Sequence, residues 1–274
     1  MATDMTLHPS TSGHPQPIEP HDVLELSVDQ MATVTPDPVT LENHSIVGFK
    51  QHDSRARPFA LLRTQVAKRI EANNFKIIGI TSATPDAGKS FIALNLAAAL
   101  ARVVEGGVFL ADFDLRRGSV SHGLGLEVDH GVSDFLDGTA PNLEMIGRRV
   151  EGTRLNVLMT KVIGSNSAEL VAGPRFAELI ADLRTRTGSA VVICDLPPAF
   201  ANDEAMLMMQ HLDAYLLIVD SGRNNRKQVR NALSMFRPTP CIGTVLNRYS
   251  GGIIDDSGYG YGYGYGKSAY EAYY

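Results

Sequence analysis

Residues 76–104 read KIIGITSATPDAGKSFIALNLAAALARVV, and the fold follows from how this run divides. Lys76 to Thr81 is an apolar, β-branched run of strand length, whereas Ser90 to Val104 is apolar or small at nearly every position and reads as a buried helix. Between them lies Ala83-Thr84-Pro85-Asp86-Ala87-Gly88-Lys89-Ser90. A loop entered from a strand and left by a helix, with Gly-Lys-Ser at the helix start, is the setting of a phosphate-binding loop, because unpaired N–H groups and the positive end of the helix dipole both favour an anion there. The spacing predicts that Thr84, Pro85, Asp86, Ala87, Gly88 and Phe91 line the nucleotide. Lys89 would reach the β- and γ-phosphates of ATP, and the Ser90 hydroxyl would take Mg²⁺. Ala83 stands where the pattern G-x-x-x-x-G-K-[ST] has its first glycine.

The same alternation continues on either side. Leu62, Val66 and Ile70 recur at helical spacing before the loop. After it come VFLAD (108–112), NVLM (156–159), and a helical pattern from Gly173 to Arg186 with Phe176, Leu179, Ile180 and Leu183 on one face. SAVVICD (189–195), a helix near Asp203 to His211, AYLLIVD (214–220), a helix near Asn225 to Phe236, and CIGTVLN (241–247) complete the series. Strands this uniformly apolar, separated by helices, predict an α/β fold: a doubly wound, mostly parallel sheet covered on both faces. No solenoid-length repeat occurs.

Two acidic elements fit the same crevice. Asp112, Asp114 and Arg116 follow the strand VFLAD, and the carboxyl ends of parallel strands face the ligand in an open α/β sheet. Asp195 ends SAVVICD and precedes Leu196-Pro197-Pro198, a Walker B pattern suited to holding Mg²⁺ or its water. Either element alone could be a solvated loop acid. The phosphate loop and both acidic elements in this order make Lys89, Asp112, Asp114 and Asp195 the candidate catalytic set, with Ser90, Asp114 and Asp195 as candidate metal ligands. The eight histidines show no metal-ligand spacing. Arg223, Arg226, Lys227 and Arg230 read as a solvated basic face, or as a docking surface for an acidic partner.

At 274 residues and 44% hydrophobic content, the chain suits one core domain with tails. Residues 1–54, rich in Pro, His, Thr and Asp, read as a disordered leader, 55–250 as the core domain and 251–274 as a flexible tail. The end of the chain, YGYGYGYGKSAYEAYY, holds seven of the nine tyrosines: Tyr259, Tyr261, Tyr263, Tyr265, Tyr270, Tyr273 and Tyr274. Alternating glycine there argues against a packed helix or strand. A net charge of −5 gives no general attraction to nucleic acid. Cys194 and Cys241 each sit in an apolar strand-like run, where a reduced, packed thiol is the expectation. Phe91 to Val104 is too short to span a bilayer of about 30 Å, and MATDMTLHPS lacks the blocks of a signal peptide. The expected location is therefore cytoplasmic, with any membrane association through a partner.

The elements together resemble the bacterial tyrosine kinases of capsular and exopolysaccharide synthesis, a family related by fold to the MinD and ParA ATPases. That family combines a P-loop, a Walker A′ element of apolar residues followed by D-x-D-x-R, a Walker B element ending D-x-P-P, and a C-terminal tyrosine cluster. Here these are Gly88-Lys89-Ser90, Asp112-x-Asp114-x-Arg116, Asp195-x-Pro197-Pro198 and the tail. GVSDFLDG (131–138) and SAELV (167–171) also resemble family text.

The resemblance implies an ATP- and Mg²⁺-dependent tyrosine autokinase whose acceptors are the seven tail tyrosines. Asp112 would orient the phenol and take its proton, Arg116 would contact the nucleotide, and Asn247-Arg248 would contact adenine. A transmembrane polysaccharide copolymerase is the implied activator and the means of recruitment to the inner face of the membrane. Family members carry E-x-x-R-x-x-R-T-N before the core, forming contacts between subunits. The stretch Arg57 to Gln65 keeps Arg63 and Thr64 but has Arg57 and Ala60 at the other charged places, so a homo-oligomer is implied with an altered contact. MinD-type relatives have a lysine at the position of Thr84, which favours the kinase. The alternatives are a MinD- or ParA-like ATPase switch and a non-catalytic nucleotide-binding assembly protein with an adhesive Gly-Tyr tail.

Overall fold

The computed structural model describes residues 26–249. Residues 1–25 and 250–274, including the seven candidate acceptor tyrosines, lie outside the described residues. The strands are β1 (Ala32–Val34), β2 (Ile77–Ser82), β3 (Val108–Asp112), β4 (Gly147–Val150), β5 (Leu155–Leu158), β6 (Val191–Asp195), β7 (Ala214–Asp220) and β8 (Cys241–Asn247). The helices are α1 (Pro38–Asn43), α2 (Arg57–Asn73), α3 (Lys89–Ala101), α4 (Ser119–Leu124), α5 (Val132–Asp137), α6 (Leu143–Ile146), α7 (Ser167–Ala172), α8 (Pro174–Arg186), α9 (Glu204–Met209) and α10 (Arg226–Met235).

The strands form one sheet in the order β1-β4-β5-β3-β6-β2-β7-β8, parallel throughout except for the antiparallel pair β4 and β5. Successive side chains along a strand point to opposite faces, so an all-apolar strand needs cover on both. Phe109 and Ala111 of β3, Val192 and Cys194 of β6, and Tyr215 and Leu217 of β7 enter a core with α5, α6, α8, α9 and α10. Their neighbours Val108 and Leu110, Val191 and Ile193, and Ala214, Leu216 and Ile218 enter a second core with α2, α3 and α4. Helix α8 buries Phe176, Leu179, Ile180 and Leu183, the face expected from its spacing; each such side chain stabilises the fold by about 1.5–3 kcal/mol. Helix α3 is buried nearly all round, and its run of alanines admits close neighbours on every side.

Two expectations are corrected. Residues 26–54 do not form a structureless leader. Leu26, Met31, Ile46 and Val47 are buried, β1 adds to the sheet edge beside β4, and α1 is capped by the Asp37 carboxylate, which accepts from Thr40 N at 2.8 Å. The segment is fixed to α3 by the fully buried Asn95, whose Oδ1 accepts from Val47 N at 2.8 Å and Gly48 N at 2.9 Å. A three-residue strand and a six-residue helix are too short to show a period, which is why composition misled. The second correction concerns β8, which is covered less fully than its sequence suggests: it is an edge strand with Leu246 exposed.

Candidate active site

The loop joining β2 to α3 lies at the carboxyl ends of the central strands. Asp86 and Gly88 take left-handed backbone conformations, with φ of 62° and 87°. No side chain caps the start of α3, which leaves its first N–H groups for an anion. Ala83 is buried and its φ is not positive, so alanine replaces the usual glycine without backbone strain.

Lys89, Asp112, Asp114 and Asp195 converge as expected. Lys89 Nζ lies 2.7 Å from Asp114 Oδ2, 3.6 Å from Asp195 Oδ1 and 3.3 Å from Ser90 Oγ. Asp112 accepts from Asp114 N at 3.1 Å and Val120 N at 3.0 Å, and is fully buried. Neither oxygen of the equally buried Asp195 accepts a hydrogen bond. Burial pushes Asp112 well above the usual carboxylate range, and the negative charge of Asp195 adds to this. Burial likewise raises Asp195, opposed by the Lys89 ammonium. Burial works against the charge on Lys89, but Asp195 and Asp114 outweigh it and hold the amine protonated.

This donor set fits Mg²⁺. Three carboxylates face one ammonium, so two negative charges are left to balance when all are ionised. The oxygens of Asp195, which accept no hydrogen bond and pair with Lys89 only at 3.6 Å, supply hard donors next to Ser90. Mg²⁺ typically takes one or two carboxylates and completes its shell with phosphates and water.

The loop is braced from β7 and β8. Asn247 Nδ2 donates to Ala87 O at 2.8 Å, and Arg248 Nη1 donates to Asp86 O at 2.6 Å and to Asp220 Oδ2 at 2.7 Å. Asn224 Nδ2 donates to Thr84 Oγ1 at 2.8 Å. A Cβ on Gly88 would lie 2.2 Å from Asn247 Nδ2, which is the packing reason for glycine there. Asn247 and Arg248 therefore reach the site, through carbonyls of the loop. Pro85 is exposed at the loop tip. Phe91 faces away, packing edge-on against Phe59 of α2 with ring centroids 5.6 Å apart.

On the other side, the segment after β3 folds over the loop. Arg117 pairs with Asp86 and, through that hydrogen bond, lowers the Asp86 pKa. Arg116 Nε donates to Ser167 Oγ at 3.0 Å and to Glu204 Oε1 at 3.1 Å. The sequence reading missed Glu204 and Asn224. Glu204 could have been suspected as an acid in the first turn of a helix soon after the Walker B element; Asn224 carries no local signal.

No family model matches the sequence. The chain is similar to a tyrosine-protein kinase, Ptk, of Acinetobacter johnsonii, at 29% identity over 77% of this chain and 30% of that protein. It thus spans about a third of that relative's length. Among solved structures, the kinase domain of VpsO is 30% identical with a TM-score of 0.63, covering 71% of this chain and 96% of that domain. The septum site-determining protein MinD of Pyrococcus horikoshii, solved with Mg-ADP, shares the fold, with a TM-score of 0.54 at 24% identity over 64% of this chain and 71% of that one.

Proposed function

The chain belongs to the bacterial tyrosine kinases, P-loop proteins related to MinD, and from that premise we propose that it is an ATP- and Mg²⁺-dependent protein-tyrosine kinase acting on its own C-terminal tyrosines. The observation that carries the reading is the buried cluster of Lys89, Asp112, Asp114 and Asp195 at the start of α3.

Phosphoryl transfer passes through a loose transition state, so positioning and charge neutralisation supply most of the rate. The first N–H groups of α3 and of the loop, whose carbonyls are braced by Asn247 and Arg248, hold the triphosphate in place. Lys89 exchanges Asp114 for the β- and γ-phosphates when nucleotide binds. Ser90, Asp114 and Asp195 would hold Mg²⁺, which would supply charge neutralisation and orientation of the phosphate oxygens. A tyrosine phenol, with a pKa of about 10, arrives protonated, and Asp112 receives its proton.

The acceptors are Tyr259, Tyr261, Tyr263, Tyr265, Tyr270, Tyr273 and Tyr274. The role inferred is control of exopolysaccharide or capsule polymerisation and export. It is exercised at the inner face of the membrane through a transmembrane copolymerase that activates the kinase. No helix among the described residues is long and apolar enough to cross a membrane. The ATPase-switch alternative loses support because Thr84, where MinD-type proteins have lysine, is held by Asn224.

The test mixes a Lys89→Met chain, which keeps its tail, with a chain lacking residues 257–274, which keeps its site. Label from ATP on the Lys89→Met partner supports transfer between copies. Free phosphate without protein label would favour the ATPase switch.

A further inference from the structure

Outside the phosphate cluster, the buried acids among the described residues are Asp220, paired with Arg248, and Glu204. A buried carboxylate costs several kcal/mol unless it is paired and hydrogen-bonded, so its partner is informative. Glu204 Oε1 accepts from Arg116 Nε and from the Ser167 hydroxyl, while Oε2 has no partner. The pair is lopsided: the Glu204 side chain is 0% exposed and that of Arg116 is 51% exposed. An ion pair serving packing alone would enclose both ends. Here the guanidinium is gripped at Nε only, and its two terminal nitrogens make no hydrogen bond among the described residues.

The grip also lies in a telling place. Arg116 stands between Asp114, which holds Lys89, and Arg117, which holds Asp86 at the tip of the phosphate loop. Ser167 begins α7 and Glu204 begins α9, 51 and 88 residues away in sequence. Two distant elements thus fix the arginine that lies in sequence between two residues bound to the site.

We propose that Glu204, with Ser167, is a positioning residue for phosphoryl transfer: it fixes Arg116 by Nε so that the two terminal nitrogens form a fork for the oxygens of the transferring phosphoryl group. The inference rests on the kinase reading. A planar fork of N–H donors matches phosphate oxygens better than an ammonium does. Donors fixed before the reaction stabilise developing charge without reorganising. Holding Nε leaves that fork charged, directed and in solvent reach.

The test is a double-mutant cycle on the full chain with two readouts, turnover in tyrosine labelling and binding of ADP with and without aluminium fluoride. Arg116→Ala is expected to lower turnover by about 1,000-fold, as for other arginines that neutralise this transition state. Glu204→Gln is expected to lower it about tenfold, with the KM for ATP within about threefold. The double variant should be no worse than Arg116→Ala, because Glu204 acts through that side chain. Both single variants should lose the tighter binding given by aluminium fluoride while keeping ADP affinity. Losses that multiply in the double variant, or a Glu204→Gln chain with wild-type turnover, would overturn the proposal. If Glu204→Gln does not fold, Ser167→Ala, which removes only a hydroxyl, runs the same cycle. The binding readout needs no tyrosine acceptor. A chain that fails to label tyrosine, yet loses its analogue preference in both variants, would sink the kinase reading and leave the positioning role standing.

Discussion

The two ends of the central strands share the same apolar runs but carry different kinds of polar surface. At the amino ends, Gly106, Gly107, Arg154 and Ser189 line an open cleft of about 810 Å³. Its charges are largely matched: Arg149 lies 2.6 Å from Asp29, and Arg186 lies 2.6 Å from Glu144. The carboxyl ends harbour Lys89, Asp112, Asp114 and Asp195, all buried, with neither oxygen of Asp195 accepting a hydrogen bond. Room is therefore a poor guide to chemistry in this fold. Buried charge left incompletely paired, beside backbone N–H groups free to bind an anion, is the better one.

Substitutions at the two ends test that contrast, and the largest effect is expected at Lys89. Lys89→Met should lower tyrosine-labelling turnover by at least about 1,000-fold, since it removes the ammonium that neutralises charge on the transferred phosphoryl group. A loss under tenfold would break the contrast outright. Gly88→Ala comes next. A Cβ there meets Asn247 Nδ2 at 2.2 Å on a backbone with φ of 87°, so calorimetry should show nucleotide affinity reduced by roughly 100-fold. Adding Asn247→Ala should recover only part of the loss, because the backbone strain remains.

Asp195→Asn sharpens the contrast through stability. Burial raises the carboxyl pKa of Asp112 and of Asp195 in the fold. The folded, ligand-free chain therefore holds protons that the unfolded chain gives up near pH 4. Stability from these groups is present in acid and is lost as pH rises through the raised values. Asp195→Asn should flatten that decline and raise the melting temperature by a few degrees near neutral pH, about 1 kcal/mol, while abolishing Mg²⁺-dependent ATP binding. Melting curves from pH 4.5 to 8 check the sign, and a steeper decline in the variant would contradict it. The smallest effect is expected at the other end of the strands. Arg154→Ala, in the cleft, should change turnover less than about twofold and stability by no more than about 0.5 kcal/mol.

The sequence reading captured what repeats and what ends strands. Apolar runs of both-face cover, such as VVICD, and the i, i+3, i+4, i+7 face of α8 made the central sheet and its helices legible. Lys89, Asp112, Asp114 and Asp195 were legible because each adjoins a strand or helix end whose identity was already clear. What escaped depends on tertiary contact. Met31 is buried though β1 spans only three residues, and Asn95 reads as an ordinary helix residue until Val47 and Gly48 are seen bonded to it. The bracing of the loop by Asn247 and Arg248, whose side chains donate to Ala87 O, Asp86 O and Asp220 Oδ2, likewise has no signal in the sequence. Glu204 belongs to the site only because α7 and α9 meet beside Arg116.

The most direct measurement of the central claim is peptide-resolved phosphotyrosine mass spectrometry of the full chain after incubation with Mg²⁺ and ATP, beside a Lys89→Met control. The account predicts phosphate on tyrosines between Tyr259 and Tyr274 in the wild type and none in the control. Free phosphate with unmodified tyrosines, or label confined to Tyr215 and Tyr249, would contradict it.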